Sequence, residues 1–217
     1  IADGSETKLT AGTNITITGN GTIATPYTVN GQNSPFERAD EGSGIGVYLR
    51  YRDPLNYGAI GEGAFDISWS GATSSTAGAT GTNAFAAGYD VIASGGAASA
   101  FGDLTVAAGE LGFVTGRGGT ESGYANFLAG GYNIITDGAY ATIVGQFATS
   151  VTNNISNVND GGNTMFAVGN GTATGEGLPL SRSTAFQVYQ SGLLIAPSLS
   201  VEEISAESFD AEAENAK

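Results

Sequence analysis

Residues 83–109 read NAFAAGYDVIASGGAASAFGDLTVAAG, and the period of this stretch decides the fold. Glycine returns every seven residues, at Gly81, Gly88, Gly95, Gly102, Gly109, Gly116, Gly123 and Gly130. The doublet Gly130-Gly131 then moves the register by one, and the series resumes at Gly138 and Gly145. Small residues precede the early glycines, as in Ala86-Ala87, Ala93-Ser94 and Ala107-Ala108. Large apolar residues stand three before many of them: Phe85, Ile92, Val106, Phe113 and Phe127.

A coiled coil shares the period but needs apolar a and d positions on strong helix formers. A glycine in every heptad costs such a helix roughly 1 kcal/mol each time. Short strand, tight turn, short strand fits better. Glycine supplies the positive φ of a corner. Side chains alternate between the glycines, as in Ala84-Phe85-Ala86 and Thr105-Val106-Ala107, which is the period of a strand. Two units make one coil of a narrow β-solenoid whose coils stack ~4.8 Å apart. Roughly four to five coils fit between Gly81 and Gly145.

Alanine and glycine line much of such a roll, so each coil buries little apolar area. The large residues Phe85, Ile92, Phe113 and Phe127 need another place, and an interface with identical rolls around a threefold axis provides one. Oligomerisation is the usual remedy where a chain buries too little surface alone. The alternative is a monomeric solenoid with capped ends.

The 83–109 run resembles the head repeats of YadA-type trimeric autotransporter adhesins, whose short S/A-x-A-x-G units stack into a left-handed parallel β-roll trimer. It is also similar to repeats in fibre proteins of phage tails and related contractile injection machines. The likeness covers about a third of the chain, and it holds best up to Gly109. Glu121 and Leu128 depart from it, standing where the family has a small residue. The resemblance implies a structural and adhesive fibre component with no catalytic site. Its partners are two further copies of the chain, other fibre or baseplate proteins, and a host-surface glycan or outer-membrane receptor.

Composition sets the outer bounds. The chain has 217 residues, enough for one or two ordinary domains. Its 35 glycines are about twice the average share, yet no strict triplet repeat supports collagen. Cysteine and histidine are both absent, which removes the usual zinc and haem ligand sets. A formal charge of −14 with only seven basic residues argues against nucleic acid, which needs clustered cations. An acidic, lysine-poor surface suits a salty exterior. No apolar stretch approaches the length of a membrane span. Neither a signal peptide nor an initiator Met is visible, which reads as a processed or excised fragment of something longer.

Five segments follow from the chain in order. Residues 1–31 hold a hairpin, with Ile15 and Ile17 alternating against Asn14, Thr16 and Thr18, a Gly19-Asn20-Gly21 turn, and a return strand from Thr22 to Asn30. This module reads as a stalk unit or docking point. Residues 32–80 read as an antiparallel cap or connector. One strand there puts Ile45, Val47, Leu49 and Tyr51 on one face; another sets Phe65, Ile67 and Trp69 against Asp66, Ser68 and Ser70. Arg50 and Arg52 are placed to pair with Asp66 across the strands, and Ser70 to Gly81 reads as a loop. Residues 81–150 are the β-roll, and 151–200 a C-terminal β element with strands at Met165–Val168 and Ala185–Tyr189. Residues 201–217 are an acidic tail, where Val201, Ile204, Ser208, Ala211 and Asn215 fit a and d positions of a short coiled coil or solvated helix.

Little in the sequence carries chemistry. Without histidine there is no Ser-His triad, and no phosphate-binding glycine loop is present. A glycosidase-like carboxylate pair, as in polysaccharide-degrading spikes, would have to come from Asp66, Glu110 or Glu121, which read as acids on different elements or at solvent-facing corners. Calcium is conceivable at Asp160-Gly161-Gly162-Asn163, though the twelve-residue EF loop is absent. Tyr57, Tyr89, Tyr124 and Tyr132 stand at turns, where they serve as packing or as platforms for sugar rings. The first expectation is therefore a tail-fibre or receptor-binding component on a virion tail or particle surface. The second is a trimeric adhesin head on a bacterial surface, and the third a polysaccharide-degrading spike.

Overall fold

The structure, a computed structural model, describes residues 10–12, 15–31, 34–135, 138–151, 153, 159–174 and 178–196. The acidic segment 201–217 lies outside the described residues.

The chain forms a parallel β-solenoid. One column of strands contains, in order, Ile45–Leu49, Phe65–Asp66, Phe85–Tyr89, Ser99–Asp103, Phe113–Arg117, Phe127–Gly131, Thr142–Gln146 and Thr164–Asn170. Seven parallel pairings join them, giving about seven turns. A second column of two-residue strands runs from Gly78–Ala79 through Ile92–Ala93, Val106–Ala107 and Thr120–Glu121 to Ile134–Ile135. The roll therefore begins well before Gly81. The segment read as an antiparallel cap is antiparallel only where Phe36–Asp40 meets Ile45–Leu49; the next pairing, with Phe65–Asp66, is already parallel. Residues 70–81 likewise hold a strand, Gly78–Ala79, of the second column. At the far end Thr164–Asn170 pairs antiparallel with Thr184–Tyr189, which pairs in turn with Leu194–Ile195. Arg182 fastens this end by donating Nη1 to the carbonyls of Tyr132 (2.7 Å) and Ala148 (3.1 Å). The hairpin joins Ile15–Thr18 to Thr28–Gly31, with a longer loop than the Gly19-Asn20-Gly21 turn predicts.

The heptad period has a physical cause. From Phe85 to Phe127 each coil is 14 residues, so Phe85 lies beside Ser99 and Ser99 beside Phe113; the flanking coils are longer, with Val47 beside Phe65, Phe65 beside Phe85 and Thr142 beside Phe166. The two halves of a 14-residue coil each contribute one glycine to a ladder. A Cβ on Gly88, Gly102, Gly116 or Gly130 would stand 1.8–2.0 Å from the carbonyl oxygen of the next glycine in its column. The second ladder, Gly81, Gly95, Gly109 and Gly123, is as tight, at 1.8–2.0 Å. The second ladder has no positive φ, so close approach of backbones, not turn conformation, requires those glycines. The corners themselves are made two residues later, mostly by non-glycine residues in left-handed conformation: Asn83, Asp90, Ala97, Leu104, Leu111, Ala125, Tyr132, Tyr140 and Phe147. The expected positive φ holds for the first ladder, at 136° for Gly88 and 114–117° for Gly102, Gly116 and Gly130, but not for the second, and the left-handed corner residue follows two positions later. Such a conformation costs an L-residue roughly 1–2 kcal/mol. Each corner residue offsets that cost by donating its N–H to the coil before, as Leu104 does to Tyr89 (2.9 Å) and Leu111 to Gly96 (2.8 Å).

The register shift is also relocated. Arg117 pairs with Gly131 and Glu121 with Ile135, both 14 apart, whereas Tyr124 bridges to Ala139. The extra residue therefore falls between Ile135 and Gly138, not at the Gly130-Gly131 doublet. A strand ladder tolerates no insertion without losing its face alternation, and both ladders keep their register on either side of it.

The interior is narrow. Ala86, Ala100, Val114, Leu128, Ile143 and Ala167 form one buried row, and Ala79, Ala93, Ala107, Glu121 and Ile135 the row facing it. The large repeat residues point outward. Phe36, Phe65, Phe85, Phe101, Phe113 and Phe127 form a continuous aromatic column on the outer face, with successive ring centroids 5.0–5.5 Å apart. Ile92, Val106 and Ile134 are half-buried on the other flank.

Candidate functional site

The N-terminal end of the solenoid is closed by charge rather than by apolar side chains. The face read as solvent-facing is the inner one: Asp66, Ser68 and Ser70 are buried, while Phe65, Ile67 and Trp69 look outward. The reversal holds because the acids have partners inside. Arg52 donates Nη1 to Asp66 Oδ2 at 3.1 Å and Nη2 to Glu41 Oε2 at 2.6 Å, with a side chain only 5% exposed. Its guanidinium lies over the ring of Tyr48 at 3.8 Å and over that of Tyr57 at 4.8 Å, a geometry that adds cation–π attraction. Asp66 Oδ1 also accepts from the Ser68 N–H (2.9 Å) and hydroxyl (2.6 Å). Tyr57 donates its hydroxyl to the Ser68 carbonyl (3.0 Å) and accepts from the Ser70 N–H (2.8 Å). Burial pushes both phenols above their usual range, Tyr48 further through Glu41 and Glu37, so both stay neutral.

Of the two arginines expected to meet Asp66, Arg52 does so. Tyr51, at φ 71°, and the Arg52 N–H to Leu49 carbonyl bond (3.3 Å) turn the chain there. Arg50 forms no ion pair among the described residues, and its Nε is buried without a hydrogen-bond acceptor. It lines a cleft of about 310 Å³ with Pro35, Leu49, Tyr51, Arg52, Tyr57, Ser68 and Trp69. Trp69 is 62% exposed and Tyr51 85%. Pockets that hold small ligands start near this volume and combine apolar walls with a few polar groups.

The other carboxylates do not assemble. Glu121 is fully buried, a correction to its reading as a corner residue. It occupies the space left by Gly112, where a Cβ would stand 2.0 Å from Oε2. It accepts from the Gly109 N–H (3.2 Å) and the Asn126 side-chain amide (2.9 Å). No cation contacts it among the described residues, and burial raises its carboxyl above the usual range against those hydrogen bonds. Asp66 is held by Arg52 several coils away, and Glu110 is exposed at a corner. Asp160 accepts from the Gly162 N–H (2.9 Å) in a local turn, and no group of three or more acidic, His or Cys side chains is placed for a metal among the described residues. Of the turn tyrosines, Tyr57 is buried in the cap. Tyr124 meets Tyr140 edge-on at 5.7 Å, Tyr132 stacks on Phe147 at 5.1 Å, and Tyr89 is about half exposed.

The sequence reading missed the cleft. The signal was present in the single tryptophan of the chain and in Arg50-Tyr51-Arg52, but which arginine turns inward depends on the conformation of Tyr51. Comparison of the chain with protein-family models, with curated proteins and with solved structures returned no match to any of them.

Proposed function

We propose that the chain is a segment of a homotrimeric β-fibre whose role is structural and adhesive, as a tail-fibre or receptor-binding component of a phage or phage-like contractile system. The observation that carries the reading is the inversion of the roll. Alanine fills much of the interior, and six phenylalanines form a column on the outside. Large contiguous apolar surface on a soluble protein marks an interaction face. A column that repeats with every coil suits identical rolls side by side, in the left-handed trimeric arrangement that the repeat resembles. Residues 15–31 and 164–195 then act as connecting modules along the fibre, on a virion tail or particle surface. No catalytic role is assigned, because Asp66, Glu110 and Glu121 lie in different coils and two of them are buried.

Light scattering tests the assembly. The expected native mass is three times 21.7 kDa. Phe113→Asp, in the middle of the column, is expected to yield monomer that keeps its β circular dichroism. A native chain that stays monomeric at micromolar concentration overturns the proposal.

A further inference from the structure

We infer that the cleft at the N-terminal end of the solenoid binds a carboxylate-bearing sugar ring, with Arg50 taking the carboxylate and Trp69 the apolar face of the ring. The inference rests on the adhesive reading and names the ligand class for it. Three observations carry it. First, Arg50 lines the cleft and forms no ion pair among the described residues. Of the other described arginines, Arg52 and Arg117 are in ion pairs, Arg182 clasps two carbonyls, and Arg38, also without an ion pair, lines a separate depression whose rim includes Asp40 and Glu62. The Nε of Arg50 is buried and unpartnered, as is that of the ion-paired Arg52. A guanidinium matches a carboxylate through two parallel hydrogen bonds.

Second, Trp69 is a flat exposed platform on a rigid mount. Its main chain is tied to the next coil by donation to Gly88 (2.7 Å) and acceptance from Asp90 (2.8 Å). Those bonds fix the backbone that carries the ring, so no loop has to be ordered on binding. Third, the neutral hydroxyls inside the cleft are already engaged: those of Tyr57 and Ser68 both have partners. The site thus offers apolar walls and, beside the ion-paired Arg52, one cation that no carboxylate holds. A uronic or sialic acid has that profile, an apolar C–H face and a single carboxylate. A polyanion does not suit a chain of formal charge −14.

The chain contains one tryptophan, so its fluorescence reports the cleft directly. The full chain is titrated with glucuronic acid and N-acetylneuraminic acid, then with glucose and with acetate. Saturable quenching or a spectral shift by an acidic sugar, at least tenfold weaker or absent with glucose and acetate, supports the inference. Arg50→Gln should weaken binding about 10- to 100-fold, the range lost with a charge-assisted hydrogen bond, at unchanged thermal midpoint. Four outcomes overturn it: no response to either acidic sugar at 10 mM, an equal response to glucose, an equal response to acetate, or undiminished binding by Arg50→Gln. Mass measured on the same samples separates the two readings. A trimer that ignores acidic sugars removes only the cleft proposal, and a monomer that binds them removes only the trimer.

Discussion

The coils built on Ala86, Ala93, Ala100 and Ala107 and those built on Val114, Glu121, Leu128 and Ile135 share one backbone but enclose different contents. In the first set the inner rows are alanine, and hydrogen bonding runs through the main chain. In the second the interior holds a carboxyl and two asparagines. Asn126 accepts from the Ala141 N–H (2.8 Å) and donates to Gly138 (2.8 Å). Asn133 does the same with Ala148 (3.0 Å) and Gly145 (3.0 Å). Glycine replaces the facing residue where a larger side chain enters: Gly112 faces Glu121, and a Cβ on Gly119 would stand 3.0 Å from Val114. The lesson is that the ladders and corners define the coil, while the interior is negotiable as long as its volume is conserved and its polar atoms are paired.

Breaking what both regions share should have the largest effect. Gly102→Ala sets a methyl group 2.0 Å from the Gly116 carbonyl oxygen, a backbone atom without room to retreat. A loss of about 4 kcal/mol or more is expected, seen in urea denaturation as a chain unfolded or nearly so without denaturant. A smaller effect, under about 1 kcal/mol, means that the coils separate more easily than their ladders suggest.

The volume exchange is sharpened by a double-mutant cycle. Gly112→Ala drives a methyl into Glu121 and should cost about 1–3 kcal/mol by overpacking. In a Glu121→Ala background the same alanine re-creates the pattern of Ala98 facing Ala107, so the two changes should couple favourably by about 1–3 kcal/mol. Strict additivity would mean that the two positions do not share a space.

The charge in the second region gives a pH signature. The folded carboxyl of Glu121 is raised above its ordinary value of 4.5. Its protonation therefore supports the fold fully below that ordinary value, and the support is lost as pH rises through the raised folded value. Relative to wild type, Glu121→Gln should gain stability steadily as pH is raised from 4 towards neutrality. Urea midpoints across that range measure it, and a pH-independent difference would show that the carboxyl titrates normally inside the coil.

The smallest effect separates corner from ladder. Leu111 is about half exposed at φ 59°. Leu111→Gly relieves the left-handed strain while loosening the unfolded chain, for a net gain of about 0.5–1 kcal/mol. The same substitution destabilises if the leucine side chain holds the corner.

The solenoid was legible because its constraint is local and repeated: two glycine contacts per coil print a seven-residue period. The outward phenylalanines were legible for the same reason, since alternation about each glycine puts Phe85 and Ala86 on opposite faces. The candidate site was not. Alternation at Phe65 to Ser70 separates the two faces correctly but says nothing of which one is inside. Hydrophobicity points to the wrong one, because the end of a solenoid is closed by whatever its flanking segment supplies, here Arg52 and Tyr57.

From the sequence alone came the β-solenoid, its 14-residue coil and the two faces of each strand. These are properties of backbone sterics and side-chain alternation, which act between neighbours in sequence. Only the tertiary structure decided that Asp66 and Glu121 are interior, that the extra residue falls after Ile135, and that Arg50 shares a cleft with Trp69 and has its Nε unpartnered. Those outcomes depend on which charges find partners and which volumes are already filled, and both are settled by residues distant in the chain.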